Sequence, residues 1–164
     1  MANGNSSHAE GYYTNADGKY AHSEGYYAKA IGDYSHAEGV YTTVSGGSAH
    51  VGGEYNIPDD INIPAWVSRT SYEVGDRVKL TKGYYECITA NSDRTFTGSK
   101  WKMLNRLDYA EIIGNGTADS ARSNARTLDW NGNSWYAGNV TAAGGSLTLG
   151  SGSNEVTITA EQLR

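Results

Sequence analysis

The chain has 164 residues, among them 21 glycines and 13 tyrosines, with 38% apolar residues and a formal charge of −5. That acidic balance argues against nucleic acid or an anionic membrane as partner, since both call for clustered Lys and Arg. One cysteine, Cys87, excludes an internal disulfide framework, and no apolar run reaches membrane length. Few Leu, Ile and Val are available for a thick core, so stability must come from stacked repeats or from oligomerisation. Met1 to Ser7 are polar and carry no signal-peptide core.

A repeat fills the first third of the chain. His8, His22, His36 and His50 follow one another at intervals of 14 residues. Their context repeats as well: Ser7-His8-Ala9-Glu10-Gly11, Ala21-His22-Ser23-Glu24-Gly25, Ser35-His36-Ala37-Glu38-Gly39, and a decayed Ala49-His50-Val51-Gly52-Gly53. Tyr13, Tyr27, Tyr41 and Tyr55 form a second column, Gly18, Gly32 and Gly46 a third, and Ala16, Ala30 and Val44 a fourth. A repeat of this length accommodates two short strands, with Gly11 and Gly18 expected to supply the turn conformations that other residues resist. Alternation along a strand puts His8 and Glu10 on one face and Ala9 on the other, so the small Ala/Ser column suits the inside of a flattened coil. The expected fold is all-β: a parallel β-roll of 14-residue coils over residues 1–56, a small inserted antiparallel β module over 57–108, and a last coil followed by a C-terminal β-strand shaft over 109–164.

The Ser-His-Ala-Glu-Gly coil resembles the left-handed parallel β-roll repeat of trimeric autotransporter adhesin heads. It is closer still to repeats in tail proteins of siphophages that infect Gram-positive bacteria. The resemblance implies a homotrimer with His8, Glu10, His22, Glu24, His36, Glu38 and His50 in columns near its axis. His and Glu are also metal-ligand and acid–base types. A periodic column is what a structural ladder needs, whereas an active site needs one copy, so no catalytic residue, metal or cofactor is expected.

Ile57-Pro58-Asp59-Asp60-Ile61-Asn62-Ile63-Pro64 holds both prolines and reads as a linker. Arg77-Val78-Lys79-Leu80 and Gly83-Tyr84-Tyr85-Glu86-Cys87-Ile88 then read as a hairpin. The order Ala65-Trp66, Tyr72, Gly75-Asp76-Arg77-Val78, Tyr85-Glu86-Cys87, Trp101-Lys102-Met103-Leu104 resembles small chitin-binding carbohydrate-binding modules. That resemblance implies a module core of Trp66, Tyr72, Tyr85 and Trp101. The family carries adjacent aromatics just after the Tyr85 strand, where this chain reads Ile88-Thr89-Ala90-Asn91. Tyr84, turned outward by strand alternation, and Phe96, in a polar loop, are the remaining candidates to stack on a sugar.

Past the module, Ala110-Glu111-Ile112-Ile113-Gly114 aligns with Ala49-His50-Val51-Gly52-Gly53, which places Glu111 in the histidine column and resumes the rod. Residues 120–138 resemble the segment that follows such repeats in phage tail proteins, with Asn131-Gly132 as a hairpin turn. A further strand pair is expected at 146–149 and 155–159, and Thr159 with Gln162 reads as a helix start. Together the resemblances imply a segment of a phage tail fibre or receptor-binding protein, located in the virion tail. Its partners would be its own copies, other tail proteins and a host cell-surface polysaccharide, with neither nucleic acid nor membrane. A bacterial trimeric adhesin head and a non-catalytic part of a cell-wall hydrolase are the alternatives.

Overall fold

The computed structural model describes residues 1–81 and 83–140, together with the paired strands Ser146–Leu149 and Val156–Thr159. The fold is all-β and contains a parallel β-solenoid of about three turns. Five-residue strands alternate with two-residue strands: β1 (His8–Tyr12), β2 (Asn15–Ala16), β3 (His22–Tyr26), β4 (Lys29–Ala30), β5 (His36–Val40), β6 (Thr43–Val44) and β7 (His50–Glu54). The long strands stack in parallel, with His8 on His22, His22 on His36 and His36 on His50. The short strands form a second sheet, Ala16 on Ala30 on Val44. Between the two sheets lies a thin core of Ala16, Ala30, Ala37, Val44 and Val51, all fully buried.

The turns of each coil use residues not expected in them. Ser6, Tyr13, Tyr20, Tyr27, Tyr34, Tyr41, Ser48 and Tyr55 all take left-handed conformations, with φ between 40° and 60°. Each costs about 1–2 kcal/mol for a side chain with a Cβ. Stacking offsets much of this: Tyr13, Tyr27, Tyr41 and Tyr55 lie ring on ring at 5.0, 4.7 and 4.7 Å, and Tyr20 lies on Tyr34 at 5.1 Å. Such pairs are worth ~0.5–1.5 kcal/mol beyond the area they bury. Gly11 does have the expected positive φ, 104°. Gly18 does not, which corrects the expectation for that column. Glycine is needed there for close approach, because a Cβ on Gly18 would stand 2.0 Å from the carbonyl oxygen of Gly32.

Residues 64–104 build a separate antiparallel sheet of β8 (Arg77–Leu80), β9 (Gly83–Cys87) and β10 (Trp101–Leu104), in the order β10-β9-β8. A 3-10 turn, Gly98–Lys100, leads into β10. The solenoid sheet then continues with β11 (Tyr109–Asn115), which pairs with β7 in parallel, Glu111 opposite His50 and Gly114 opposite Gly53.

The flanking segments do more than link. In the short sheet, Lys29 N–H donates to the Thr42 carbonyl of the next coil, and Ile31 N–H to that of Val44. One coil further on, side chains take over. Asn56 accepts from Thr43 N–H at 2.8 Å and donates to the Thr43 carbonyl at 3.0 Å. The Asp59 carboxylate accepts from Ser45 N–H and Gly46 N–H at 2.8 and 2.7 Å. Gly47 N–H donates to the carbonyl of Asn105 at 3.0 Å. These contacts satisfy the backbone edge that the missing strand would have covered.

The sheet ends antiparallel: β12 (Asn124–Asp129) on β11, and β13 (Ser134–Tyr136) on β12. The turn between them is wider than the two-residue Asn131-Gly132 form. Leu128 pairs with Ser134, and the Asp129 carboxylate accepts from Asn131 and Asn133 N–H inside the loop. Arg122 donates to the carbonyls of Tyr41 and Asn56, both at 3.0 Å, with its guanidinium 5.8 Å from the Tyr55 ring at the end of the tyrosine stack. Strands β14 (Ser146–Leu149) and β15 (Val156–Thr159) form an antiparallel pair. Thr159 ends β15, and the remainder of the expected helix start, 160–164, lies outside the described residues.

Gly39 combines a φ of 102° with an approach that leaves a Cβ 2.1 Å from the Gly53 carbonyl oxygen, whereas Gly98 has open space around it. Gly39→Ala should lose about 2 kcal/mol or more of stability, or fail to fold. Gly98→Ala should melt within a degree or so of the parent. Equal thermal melts for the two variants would contradict the close stacking.

Candidate functional site

One face of the long sheet carries the histidine–glutamate ladder. Strand alternation buries Ser23, Ala37 and Val51 inward and leaves His22, Glu24, His36, Glu38 and His50 half-buried on the outer face, with His8 and Glu10 exposed at the end. The imidazoles stack, His8–His22 at 5.0 Å and His22–His36 at 4.7 Å, while His50 tilts by 47° against His36 at 5.1 Å. Each lower histidine reaches back to the previous coil: His36 Nε2 lies 3.7 Å from Glu24 Oε1, and His50 Nε2 3.4 Å from Glu38 Oε1. Glu111, in the same column as His50, lies 3.6 Å from His50 Nδ1 and pairs with Arg126. The ladder thus forms within one chain, along the strand-stacking direction.

Its chemistry differs from rung to rung. His22 Nε2 and His36 Nε2 are enclosed without a hydrogen-bond partner. Burial holds the His36 imidazole below its ordinary range. The adjacent His22 and His50 add to that effect, and Glu38 and Glu24 pull against it.

The module gathers its aromatics inward. Tyr72 and Trp101 are buried with Val78 and Cys87, and Trp66 and Tyr85 pack against them. Tyr72 sets its ring 5.1 Å from Trp101, and its hydroxyl accepts from Val67 N–H at 2.7 Å. Phe96 differs from its expected place as a loop-tip contact. Its ring lies 5.9, 5.0 and 5.3 Å from those of Trp66, Tyr85 and Trp101, because burying the one large apolar residue of that loop outweighs presenting it.

Tyr84 is on the opposite face from Tyr85, as alternation requires, but that face meets the linker rather than open solvent. Its hydroxyl donates to Asp60 Oδ2 at 2.9 Å, and Lys79 Nζ lies 3.6 Å from the same oxygen. Burial pushes the phenol well above its usual range, and Asp60 adds to the shift. Tyr84 therefore fastens the module to its own linker. Beside it, an open cleft of about 1070 Å³ runs between module and solenoid, lined by Asp33, Tyr34, Lys79, Tyr84, Lys102 and Arg106 among others.

No family model, curated protein or solved structure matches the chain. Asn56, Asp59 and Arg122, which close the short sheet and cap the tyrosine stack, went unread in the sequence because each makes a contact that occurs once and belongs to no repeated column. Tyr20 and Tyr34 did carry a signal, since they share the repeat's spacing, two residues after Gly18 and Gly32.

A base whose folded pKa is depressed binds its proton more readily when unfolded. The stability it contributes is therefore present above the ordinary imidazole value of about 6.5 and is lost as pH falls through that value. In EDTA-containing buffer, the melting temperature should fall between about pH 7 and 5.5, and His36→Asn should flatten that fall. A parent protein that melts higher on acidification, or a variant with an unchanged slope, would contradict this assignment.

Proposed function

We propose that this chain is a structural and receptor-binding segment of a bacteriophage tail fibre. Three copies form a rod of 14-residue coils, and each copy holds one small module out to the side. The observation that carries this reading is the docking of β11 on β7. The solenoid sheet continues in register across an intervening stretch of some fifty residues, and a shaft that displays something must keep its own continuity in this way. Loop positions on a rigid scaffold tolerate such insertions.

Two further features support it. The interior of the coils is filled by Ala, Ser and Val, which bury little area per residue. A rod so thin gains by covering its half-exposed ladder face, and further copies of the chain present a matching face. The siphophage-like Ser-His-Ala-Glu-Gly repeat suits that assembly.

The module's role is contact with host-surface polysaccharide. Phe96 is committed to the module core and Tyr84 to Asp60, so the cleft is the better candidate surface. There Tyr34, 62% exposed, and the edge of Tyr84 stand beside Lys79, Lys102 and Arg106. Tyrosine rings pack on the apolar faces of sugars, and Lys and Arg meet acidic substituents. Each such site is weak, and three on one rod gain by avidity.

Light scattering on the purified chain should report the mass of three copies, and a monomer at micromolar concentration would overturn the assembly. For the module, replacing residues 64–104 with a short Gly/Ser link leaves Asn56, Asp59 and Asn105 in place. The rod should still assemble and melt near the parent, while binding to host cells is lost. Retained cell binding would make the module a spacer, and loss of the trimer would place it in the assembly interface.

A further inference from the structure

The middle of the ladder holds a cluster that ladder packing alone does not explain. The ligand atoms of Glu24, His36 and Glu38 all lie within 4.8 Å of one another. His36 Nε2, enclosed and without a hydrogen-bond partner, points among them, 3.7 Å from Glu24 Oε1. That separation is too long for a hydrogen bond. We infer that Glu24, His36 and Glu38 form a binding site for a first-row divalent metal ion, with water completing its coordination.

The distances suit such an ion. Bonds of ~2.0–2.2 Å in a tetrahedral arrangement place ligand atoms roughly 3.4 Å apart. The His36–Glu24 pair is already close to this, and small rotations of the two glutamates bring the third ligand in. The charges suit it as well. Two carboxylates contribute formal charge, and among the described residues neither makes an ion pair with a Lys or Arg. The His36 imidazole offers the lone pair of Nε2, which has no hydrogen-bond partner. One imidazole with two carboxylates favours borderline ions such as Zn²⁺ over Mg²⁺ or Ca²⁺, which take oxygen ligands alone.

The same repeat does not make a site at every height. One rung on, Gly52 replaces the next glutamate, and Glu111 is already engaged by Arg126. At the other end His8 and Glu10 are exposed. The site therefore centres on His36, one per chain. All three ligands come from a single chain.

The test is calorimetric titration of the full chain, stripped with EDTA and dialysed, with ZnCl₂ and in parallel with MgCl₂. The expected result is one Zn²⁺ per chain, a higher melting temperature with zinc, and no comparable response to magnesium. His36→Ala and Glu38→Gln should each weaken zinc binding by at least about tenfold, while His8→Ala leaves it unchanged. If His36→Ala does not fold, the near-isosteric Glu38→Gln decides. No zinc binding below about 1 mM, magnesium binding of equal strength, or zinc binding untouched by Glu38→Gln would each overturn the assignment.

Discussion

In this chain the carbonyl of one glycine occupies the space that a side chain on the glycine one coil earlier would need. A Cβ on Gly11 would stand 2.2 Å from the Gly25 oxygen, on Gly25 2.2 Å from Gly39, on Gly39 2.1 Å from Gly53, and on Gly53 2.3 Å from Gly114. Coils can lie this close only with glycine at the corner, and only in one register. The last of these contacts spans the inserted module, so one constraint holds both parts of the solenoid together. Because a one-residue slip would turn every inward side chain outward, the register also decides which residues meet water.

Fixed register turns sequence repetition into columns of like side chains, and like side chains stacked ring on ring or charge on charge need a particular chemistry to be tolerated. The tyrosines stack and so offset the strain of their left-handed backbone. The histidines stack, with burial holding the His36 imidazole below its ordinary range, which lessens repulsion along the column. The glutamates have no such escape, and this is what makes the Glu24–His36–Glu38 rung a place for a cation. At the far end Arg126 supplies the compensating charge through an ion pair with Glu111.

The parallel stacking was legible in the sequence because a solenoid writes the same contact several times, and His8, His22, His36 and His50 spell it out. The resumption at Ala110-Glu111-Ile112-Ile113-Gly114 was legible for the same reason, glycine returning at the corner. What a repeat does not show is a contact made once. Asn56 reads as the last residue of the roll and Asp59 as an ordinary linker residue, and only the fold reveals that their side chains stand in for a missing strand. Composition also misled in places. Gly18 looked like a turn residue but serves close approach. Phe96 and Tyr84 looked free because loop position and strand alternation say nothing about what packs on the far side, which here is the module's own core and the Asp60 linker.

Tyr109–Asn115 belongs to the same cooperative unit as the coils before it, while residues 64–104 fold as a separate body. Native-state hydrogen exchange read by mass spectrometry tests this directly. Peptides covering 36–40, 50–54 and 109–115 should share one high protection level and lose it together in denaturant, while peptides from 77–104 open with a different free energy. Exchange of 109–115 in step with the module rather than with the coils would contradict it.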